Sequence, residues 1–323
     1  MYTGLLNLDA LSELEKLPKR YKDYAFASLA LAAARLGLDY NSFLAEVENL
    51  YLKLYVEAEL PLYDPEYYEK ALREVVSNVT WLKYLERVYV LGRLSETAFQ
   101  LDKGDYKYLL EMASNYLPPL GYSGRARFSL ALARCGELSR AKELVSAYSV
   151  SRRVSFLVEA TLSRPQDFQL LSETMQLIRK IRSGRRRMVL LSRLAKHPLY
   201  FQLRAPKPQE LALKLPLGET LRDMYVSLLV ARNLGEIGLA KEFRDRFELI
   251  LKQVPSTDLL PVEASELLVE VAYHARGIEG SVKLASQSKF YPLLVAHLAE
   301  YITKLSLEQS ILKEGQATNN LNN

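Results

Sequence analysis

The stretch Gly136-Glu137-Leu138-Ser139-Arg140-Ala141-Lys142-Glu143-Leu144 decides the fold of this chain, because it is typical of a turn followed by a helix. A further helix ends just before it, at the pair Ala133-Arg134. Glycine allows the chain to turn, and Leu138, Ala141 and Leu144 recur every three residues, which places them on one helical face. The sequence therefore predicts two antiparallel helices joined at this glycine.

The same pattern recurs downstream as Gly235-Glu236-Ile237-Gly238-Leu239-Ala240-Lys241-Glu242-Phe243, again after an Ala-Arg pair, Ala231-Arg232. In both copies an alanine stands five positions after the glycine, where a small side chain lets two helices approach closely. This spacing resembles the tetratricopeptide-repeat hairpin, and the two copies begin 99 residues apart, close to three units of about 33–34 residues. The resemblance implies an α-α superhelix, a right-handed solenoid of helical hairpins.

Apolar residues recur at spacings of three and four along most of the chain, and strict alternation is almost absent, so the sequence predicts an all-α fold. Further turns are expected at Gly37, Gly104 and Gly277. Asn41 is expected to cap one long helix that carries Leu44 and Leu54 on one face. A compact multi-helix globule stays open as an alternative, because any antiparallel helix pair can use glycine at its turn and alanine at its contact.

Two proline-rich breaks divide the chain. Pro118-Pro119-Leu120-Gly121 is the clearer one, and the stretch 198–218 holds four prolines and leaves room only for a short helix near 210–214. The predicted segments are acidic N-terminal hairpins at 1–117, basic hairpins at 118–204, C-terminal hairpins at 205–306 after the proline-rich linker, and a partly disordered tail at 307–323.

Charge is segregated along the sequence although the net formal charge is only +5. Residues 1–120 carry 13 basic and 18 acidic side chains, residues 121–204 carry 17 and 5, and residues 205–323 carry 13 and 15. The planar fork of arginine binds carboxylates and phosphates bidentately, so the basic middle is the candidate binding region. The candidate binding residues are Arg152, Arg153, Arg179, Lys180, Arg182, Arg185, Arg186 and Arg187.

The function that this charge pattern favours is a non-enzymatic interaction scaffold, whose helical-repeat groove docks an acidic protein segment through the arginine-rich centre. The alternative is a nucleic-acid-associated protein that holds phosphates with the same residues. A structural interpretation competes with both, because a basic run is often a solvated helix face, and acidic groups of the same molecule or of a second subunit can neutralise it.

No motif for covalent chemistry stands out, so no catalytic residue, metal site or cofactor is predicted. Glycine-rich phosphate loops are absent, and His197, His274 and His297 show no metal-ligand spacing. His197 and His274 are expected at helix ends, where the helix dipole would stabilise a protonated His274. Cys135, the only cysteine, is expected to be a small packed residue.

A tyrosine-rich stretch carries paired acids, Glu57 with Glu59 and Glu66 with Glu69. Tyrosines beside carboxylates can form a surface for sugar or peptide, but helix surface and packing are the favoured interpretation.

The longest apolar run, residues 24–34, is much shorter than the roughly 20 residues that a membrane span needs. Residues 1–17 lack the basic start and apolar run of a signal peptide. Together with the single cysteine, these features predict a cytoplasmic protein without membrane contact. The arginine-rich centre predicts another protein as its partner, with nucleic acid as a possible one.

Overall fold

The computed structural model describes residues 13–214, 220–254 and 260–321. Within these ranges every regular element is a helix and none is a strand, so the all-α prediction is confirmed. The α-helices are α1 (Lys19–Arg35), α2 (Asn41–Ala45), α3 (Leu50–Glu59), α4 (Tyr68–Asn78), α5 (Tyr84–Gln100), α6 (Tyr106–Ser114), α7 (Tyr122–Arg134), α8 (Leu138–Val145), α9 (Val150–Leu162), α10 (Phe168–Arg179), α11 (Gly184–Leu194), α12 (Pro208–Leu213), α13 (Leu221–Glu236), α14 (Arg244–Gln253), α15 (Val262–Ala285) and α16 (Tyr291–Leu321). Short 3₁₀ turns lie at Leu60–Leu62, Pro65–Tyr67, Val79–Trp81 and Tyr200–Gln202.

The odd-numbered helices form one row that ends at α15, because each of α1, α3, α5, α7, α9, α11 and α13 packs against the next odd-numbered helix. Even-numbered helices pack mainly on their neighbours in sequence, which gives hairpins such as α7–α8 and α9–α10. The last helix, α16, packs against both α15 and α1, so contacts between helices lead from the end of the row back to its start.

The predicted turn at Gly136 is confirmed. Gly136 adopts a left-handed conformation (φ 90°), and the amide of Glu137 donates to the carbonyl of Leu132 at 2.8 Å. This bond satisfies one of the carbonyls that the end of α7 leaves free, which is the Schellman termination of a helix. A side chain other than hydrogen would be strained at this φ, so glycine is required here.

The second copy of the motif is shifted in register. Gly235 is helical and belongs to α13, whereas the left-handed turn residue is Gly238 (φ 85°), with the amide of Leu239 donating to the carbonyl of Leu234. Gly235 is required for packing instead, because a Cβ there would lie 2.5 Å from Cγ of His274. The prediction of a turn at Gly235 is therefore wrong by three residues.

With the register corrected, the left-handed residues Gly136 and Gly238 are 102 positions apart, which is three units of 34 residues. The same termination occurs at Gly37 and Asp102, where the amides of Leu38 and Lys103 donate to the carbonyls five residues before them. The predicted turn at Gly104 exists, but Asp102 takes the left-handed conformation (φ 53°).

Asn41 does not begin one long helix. The helix α2 ends at Ala45, and Asn49 caps the separate helix α3 by accepting a hydrogen bond from the amide of Leu52 at 3.1 Å. Buried Asp23 holds the break open, since its Oδ1 accepts from the amides of Glu48 and Asn49 at 2.8 and 3.3 Å.

The chain beyond 306 continues as helix through Leu321, where the sequence predicted a partly disordered tail, because no proline after Pro292 interrupts α16. The proline-rich stretch 198–214 holds only a 3₁₀ turn and the short α12, as predicted, and 215–219 lie outside the described residues. Two large apolar cores fill the molecule, one reaching from Leu14 to Leu170 and one from Val154 to Ala272. The two cores overlap in sequence around α9 and α10. The boundaries between the three predicted hairpin segments lie elsewhere, at residues 118 and 205.

Candidate functional site

The N-terminal turns of α7, α9 and α11 lie side by side. Arg186 on α11 donates from Nη2 to the carbonyl of Ser151 at 2.7 Å and to Oγ of Ser155 at 3.0 Å, both on α9. Tyr122 at the start of α7 donates to the carbonyl of Arg152 at 2.6 Å, and the Arg152 guanidinium lies 5.2 Å from the Tyr122 ring centre. These contacts bring basic side chains from separate helices to one edge of the row.

We call this surface the basic edge and define it by the eight predicted residues, Arg152, Arg153, Arg179, Lys180, Arg182, Arg185, Arg186 and Arg187. All except Arg153 are exposed. Arg153 is half-buried and lines a cavity of 250 Å³ with Lys142 and Glu173, whereas none of the other seven lines this cavity. From the sequence we predicted these side chains along a groove. The structure places them at helix ends and in the loop before α11.

One of the eight basic groups has an acidic partner. Nη2 of Arg185 lies 2.5 Å from Oδ1 of Asp223 in the first turn of α13. Asp223 is buried and also accepts from Oγ1 of Thr220 at 2.6 Å. Across the described residues, no carboxylate lies within 4.0 Å of the other seven. Among the described residues, Arg185 is thus the only member of the eight that is neutralised within the chain.

The backbone adds to the positive potential of the basic edge. Helix N-termini carry partial positive charge, and three of them meet here. Arg179, which ends α10, donates from Nη2 to the carbonyl of Arg204 at 2.6 Å. Phe201, three residues before that carbonyl, leaves 79% of its surface exposed. An aromatic side chain in this position gives the basic edge an apolar neighbour.

A buried network of ion pairs, which the sequence did not predict, crosses the odd-numbered row. Nη2 of Arg35 on α1 lies 2.8 Å from Glu59 on α3, and Nη2 of Arg93 on α5 lies 3.0 Å from the same carboxylate. Arg93 also donates to Glu96 at 3.1 Å, and Arg134 on α7 donates to Glu96 at 2.8 Å. Four successive odd-numbered helices are therefore linked by charge.

The charges of this network are stabilised by each other. Burial opposes ionisation of Glu59, but the guanidiniums of Arg93 and Arg35 outweigh it and lower the pKa of the Glu59 carboxyl to about 2. The same carboxylate accepts from the hydroxyl of Tyr63 at 2.9 Å. A buried ion pair whose remaining lone pairs are hydrogen-bonded in this way offsets its desolvation cost.

A signal for this network was present in the sequence. The arginine of the Ala133-Arg134 pair contacts Glu96, and the arginine of Ala231-Arg232 lies 3.4 Å from Glu270 through Nη1. Ala34-Arg35 is a third instance. In these three instances an arginine that follows alanine in the C-terminal part of a row helix contacts a buried carboxylate, but that carboxylate lies 24 to 38 residues away in the sequence.

For the acidic pair Glu57 and Glu59, helix surface and packing were the favoured interpretation, and both residues are buried. Glu59 belongs to the network, whereas Oε2 of Glu57 has no hydrogen-bond partner in the described residues. Burial raises the pKa of Glu57 to about 7. Packing of neighbouring elements around α3 buries both side chains. Glu66 and Glu69 are exposed as expected.

A second polar cluster joins α13, α15 and α16. Nε2 of His297 lies 2.9 Å from Oε1 of Glu270, and Tyr301 donates to Oε1 of Glu236 at 3.1 Å. Nε2 of His274 lies 2.7 Å from the Tyr301 hydroxyl. Burial would lower the pKa of His297, but the hydrogen bond and charge of Glu270 outweigh it, so this pKa is raised.

His274 is not the helix-end cation that the sequence predicted. Burial, reinforced by the charges of Lys196 and Arg232, lowers the pKa of His274 to about 4, so its imidazole is neutral at pH 7. His197 follows α11 as expected, with Nδ1 accepting from the amide of Leu199 at 3.2 Å. Cys135 is buried, and burial raises the pKa of its thiol to about 12, which agrees with a packed structural residue.

Other features of the described ranges assign no further chemistry. A cleft of 580 Å³ is lined by Lys241, Arg244, His274 and Arg276 among others, and Arg276 is bound by Glu248 at 2.8 Å. Among the residues with described positions, no three His, Cys, Asp or Glu side chains cluster closely enough to hold a metal ion. None of the helices in these ranges has the length and apolar character to cross a bilayer.

The fold and the basic edge define the class as an all-helical protein built from packed helix pairs. Comparison with protein-family models, with curated proteins and with solved structures finds no match to this chain.

Proposed function

We propose that this chain is a non-enzymatic protein-interaction module of the cytoplasm whose basic edge docks an acidic segment of another protein. The observation that carries the proposal is that seven of the eight basic groups lack a carboxylate within 4.0 Å in the described residues, although the chain has many acidic side chains. Guanidinium groups held by backbone carbonyls, as in Arg179 and Arg186, keep free donors for a partner.

The proposed architecture is a hairpin-repeat array of the tetratricopeptide-like class. The 102-residue separation of the left-handed residues Gly136 and Gly238 supports it, because it equals three units of the 34-residue period typical of that class. In this proposal the partner docks at the edge where the row helices begin. It does not dock between the two ends of the row, because α16 already packs against α1 and α15 there.

The exposed aromatic ring of Phe201, close in sequence to the carbonyl that Arg179 contacts, is compatible with a protein partner. Arginine and aromatic side chains are enriched together at protein interfaces. Bases of single-stranded nucleic acid also stack on exposed aromatic rings, so Phe201 does not separate the two kinds of partner. The alternative, phosphate binding to nucleic acid, is an outcome of the same experiment.

The test is binding of a fluorescent glutamate-rich peptide to the full chain at about 0.15 M ionic strength, where only close charges interact strongly. The variant Lys180→Glu/Arg182→Glu/Arg187→Glu changes exposed side chains that have no acidic partner in the described residues. The matched control, Lys70→Glu/Lys103→Glu/Lys107→Glu, changes the charge equally on exposed side chains of the N-terminal hairpins.

We expect the first variant to lose peptide binding and the control to retain it. Equal losses in both variants would show that only net charge matters and would contradict the proposal. If a random oligonucleotide binds more tightly than the peptide and weakens steeply as salt rises, the nucleic-acid alternative is correct.

A further inference from the structure

The last helix contacts a part of the fold that is distant in sequence. The ring of Phe290, just before α16, lies 5.2 Å from the ring of Tyr21 at the start of α1. At the other end of α1, Nη1 of Arg35 donates to the carbonyl of Glu300 at 3.1 Å. The two helices therefore run in the same direction, and α16 covers one flank of α1 while its other flank meets α15.

Seven buried apolar residues of α16 belong to the described clusters, and five of them lie in two small clusters outside the two large cores. In one cluster Leu298, Ala299 and Ile302 surround Ala32 of α1. In the other, Leu294 and Val295 contact α15. Leu293 and Ala296 alone join the large N-terminal core. Removal of α16 from this surface would leave the two large cores nearly complete.

On the α1 side, Arg35 does not depend on α16 for all of its polar contacts. Arg35 keeps Glu59 at 2.8 Å and the Tyr63 hydroxyl at 3.1 Å when Glu300 is disregarded. A guanidinium with two internal partners does not become an unpaired buried charge when its third partner leaves.

The α13 and α15 side behaves in the same way. Glu270, which contacts His297 of α16, also lies 3.4 Å from Nη1 of Arg232. Glu236, which accepts from Tyr301, is also in contact with Lys196 and lies 3.5 Å from Nε of Arg232. The carboxylates of the row thus keep cationic partners without α16.

We propose that the surface formed by α1 and α15 is a docking site for an amphipathic helix, and that α16 is its intramolecular occupant. A partner helix fits this site if it presents small or branched apolar side chains at the positions of Leu298, Ala299 and Ile302 and a glutamate at the position of Glu300. Ala32 is completely buried against Leu298, Ala299 and Ile302, so a partner helix must present side chains of similar size there. The proposal does not depend on the basic edge.

The tether keeps α16 bound in the free protein, because a covalently linked ligand has a high effective concentration. A partner helix gains access in the fraction of molecules in which α16 is detached, and it then shifts the population toward the open form.

Native-state hydrogen exchange of the full chain is the first test. We expect amides of α16 between Leu293 and Leu305 to exchange at least ~100-fold faster than those in the middle of α5, since a docked helix opens without global unfolding. If both sets exchange at the same rate and respond equally to denaturant, α16 is part of the cooperative core and the proposal is wrong.

The second test uses a labelled peptide with the sequence of residues 288–308 and a full-chain variant, Ile302→Asp, which weakens the internal helix. Leu307→Asp is the control on the same helix, because Leu307 is exposed. We expect Ile302→Asp to bind the peptide at least ~10-fold more tightly than the native chain does, a difference of about 1.4 kcal/mol, and Leu307→Asp to match the native chain.

A peptide with Ala299→Arg, which is too large for the contact with Ala32, should bind neither protein. Equal peptide binding by Ile302→Asp and the native chain overturns the proposal. Global unfolding of Ile302→Asp, seen as loss of most helical circular dichroism, also overturns it, because a separable occupant cannot hold the whole fold together.

Discussion

Arg134 on α7 donates from Nη1 to Oε2 of Glu96 on α5 at 2.8 Å, and the Glu96 side chain is completely buried. Arg93 donates to the same oxygen at 3.1 Å, and Arg127 approaches the other oxygen at 3.7 Å. One buried carboxylate therefore lies within 4.0 Å of three guanidiniums, of which Arg93 is shared with Glu59.

Glu96→Gln should destabilise the protein by about 3–5 kcal/mol, because it leaves buried guanidiniums without their counter-charge. The measurement is the free energy of unfolding from urea titration followed by circular dichroism. Glu137→Gln is the matched control, since Glu137 pairs with Arg140 at the surface, and we expect it to cost only about 0–1 kcal/mol. Similar losses in the two variants would contradict the importance of burial.

His274 should make the protein less stable as the pH falls. Its folded pKa is about 4, whereas an unfolded histidine titrates near 6.5. Between these values the unfolded chain binds a proton that the folded chain does not, so the contribution is complete above about pH 6.5 and roughly 3 kcal/mol is lost as the pH falls to 4. His274→Gln should flatten the pH dependence of the unfolding free energy in this window, and an unchanged slope would contradict the neutral, buried state.

His297 should have the opposite effect. Its folded pKa is raised by Glu270, so the folded chain holds a proton more tightly than the unfolded chain does. This contribution is complete below about pH 6.5 and is lost as the pH rises through the raised folded value. His297→Gln should therefore remove a loss of stability on the alkaline side, measured by the same titrations. A change in the unfolding free energy on the acidic side instead would contradict the raised pKa of His297.

Glu57→Gln should stabilise the protein at alkaline pH. Burial raises the pKa of Glu57 from 4.5 to about 7, so stability falls as the pH rises between these values. Above pH 7 the neutral glutamine should gain about 1–3 kcal/mol over the buried carboxylate, and near pH 4 the gain should vanish. Glu66→Gln, on an exposed neighbour, should change neither value.

Gly277→Ala should cost about 1–3 kcal/mol, because Gly277 has φ 75° and ψ −169°, a region that alanine enters only with strain. No neighbouring atom would contact the new Cβ, so the loss reports backbone strain rather than a clash. Gly104→Ala is the control, with equally open space and no positive φ. We expect it to be neutral or slightly stabilising in thermal unfolding, and equal effects at both sites would contradict the strain.

The sequence by itself determined the all-α class, the hairpin at Gly136 and the clustering of basic residues near Gly184. Each of these depends on neighbours within a few positions: helical periodicity, a glycine that permits positive φ, and charges that follow one another along the chain. Local signals of this kind do not need a partner from elsewhere in the molecule.

Only the tertiary structure decided which charges are buried. Glu57 and Glu66 look equivalent in the sequence, and so do Arg134 and Arg152, because a charged residue becomes an interior one only when long-range packing surrounds it and a partner satisfies it. Gly235 lies within α13 rather than at the turn, and its close approach to His274 is a long-range contact that the local sequence does not specify. The packing of α16 on α1 brings together Arg35 and Glu300, which are 265 positions apart in the sequence. No pattern within either helix specifies that contact.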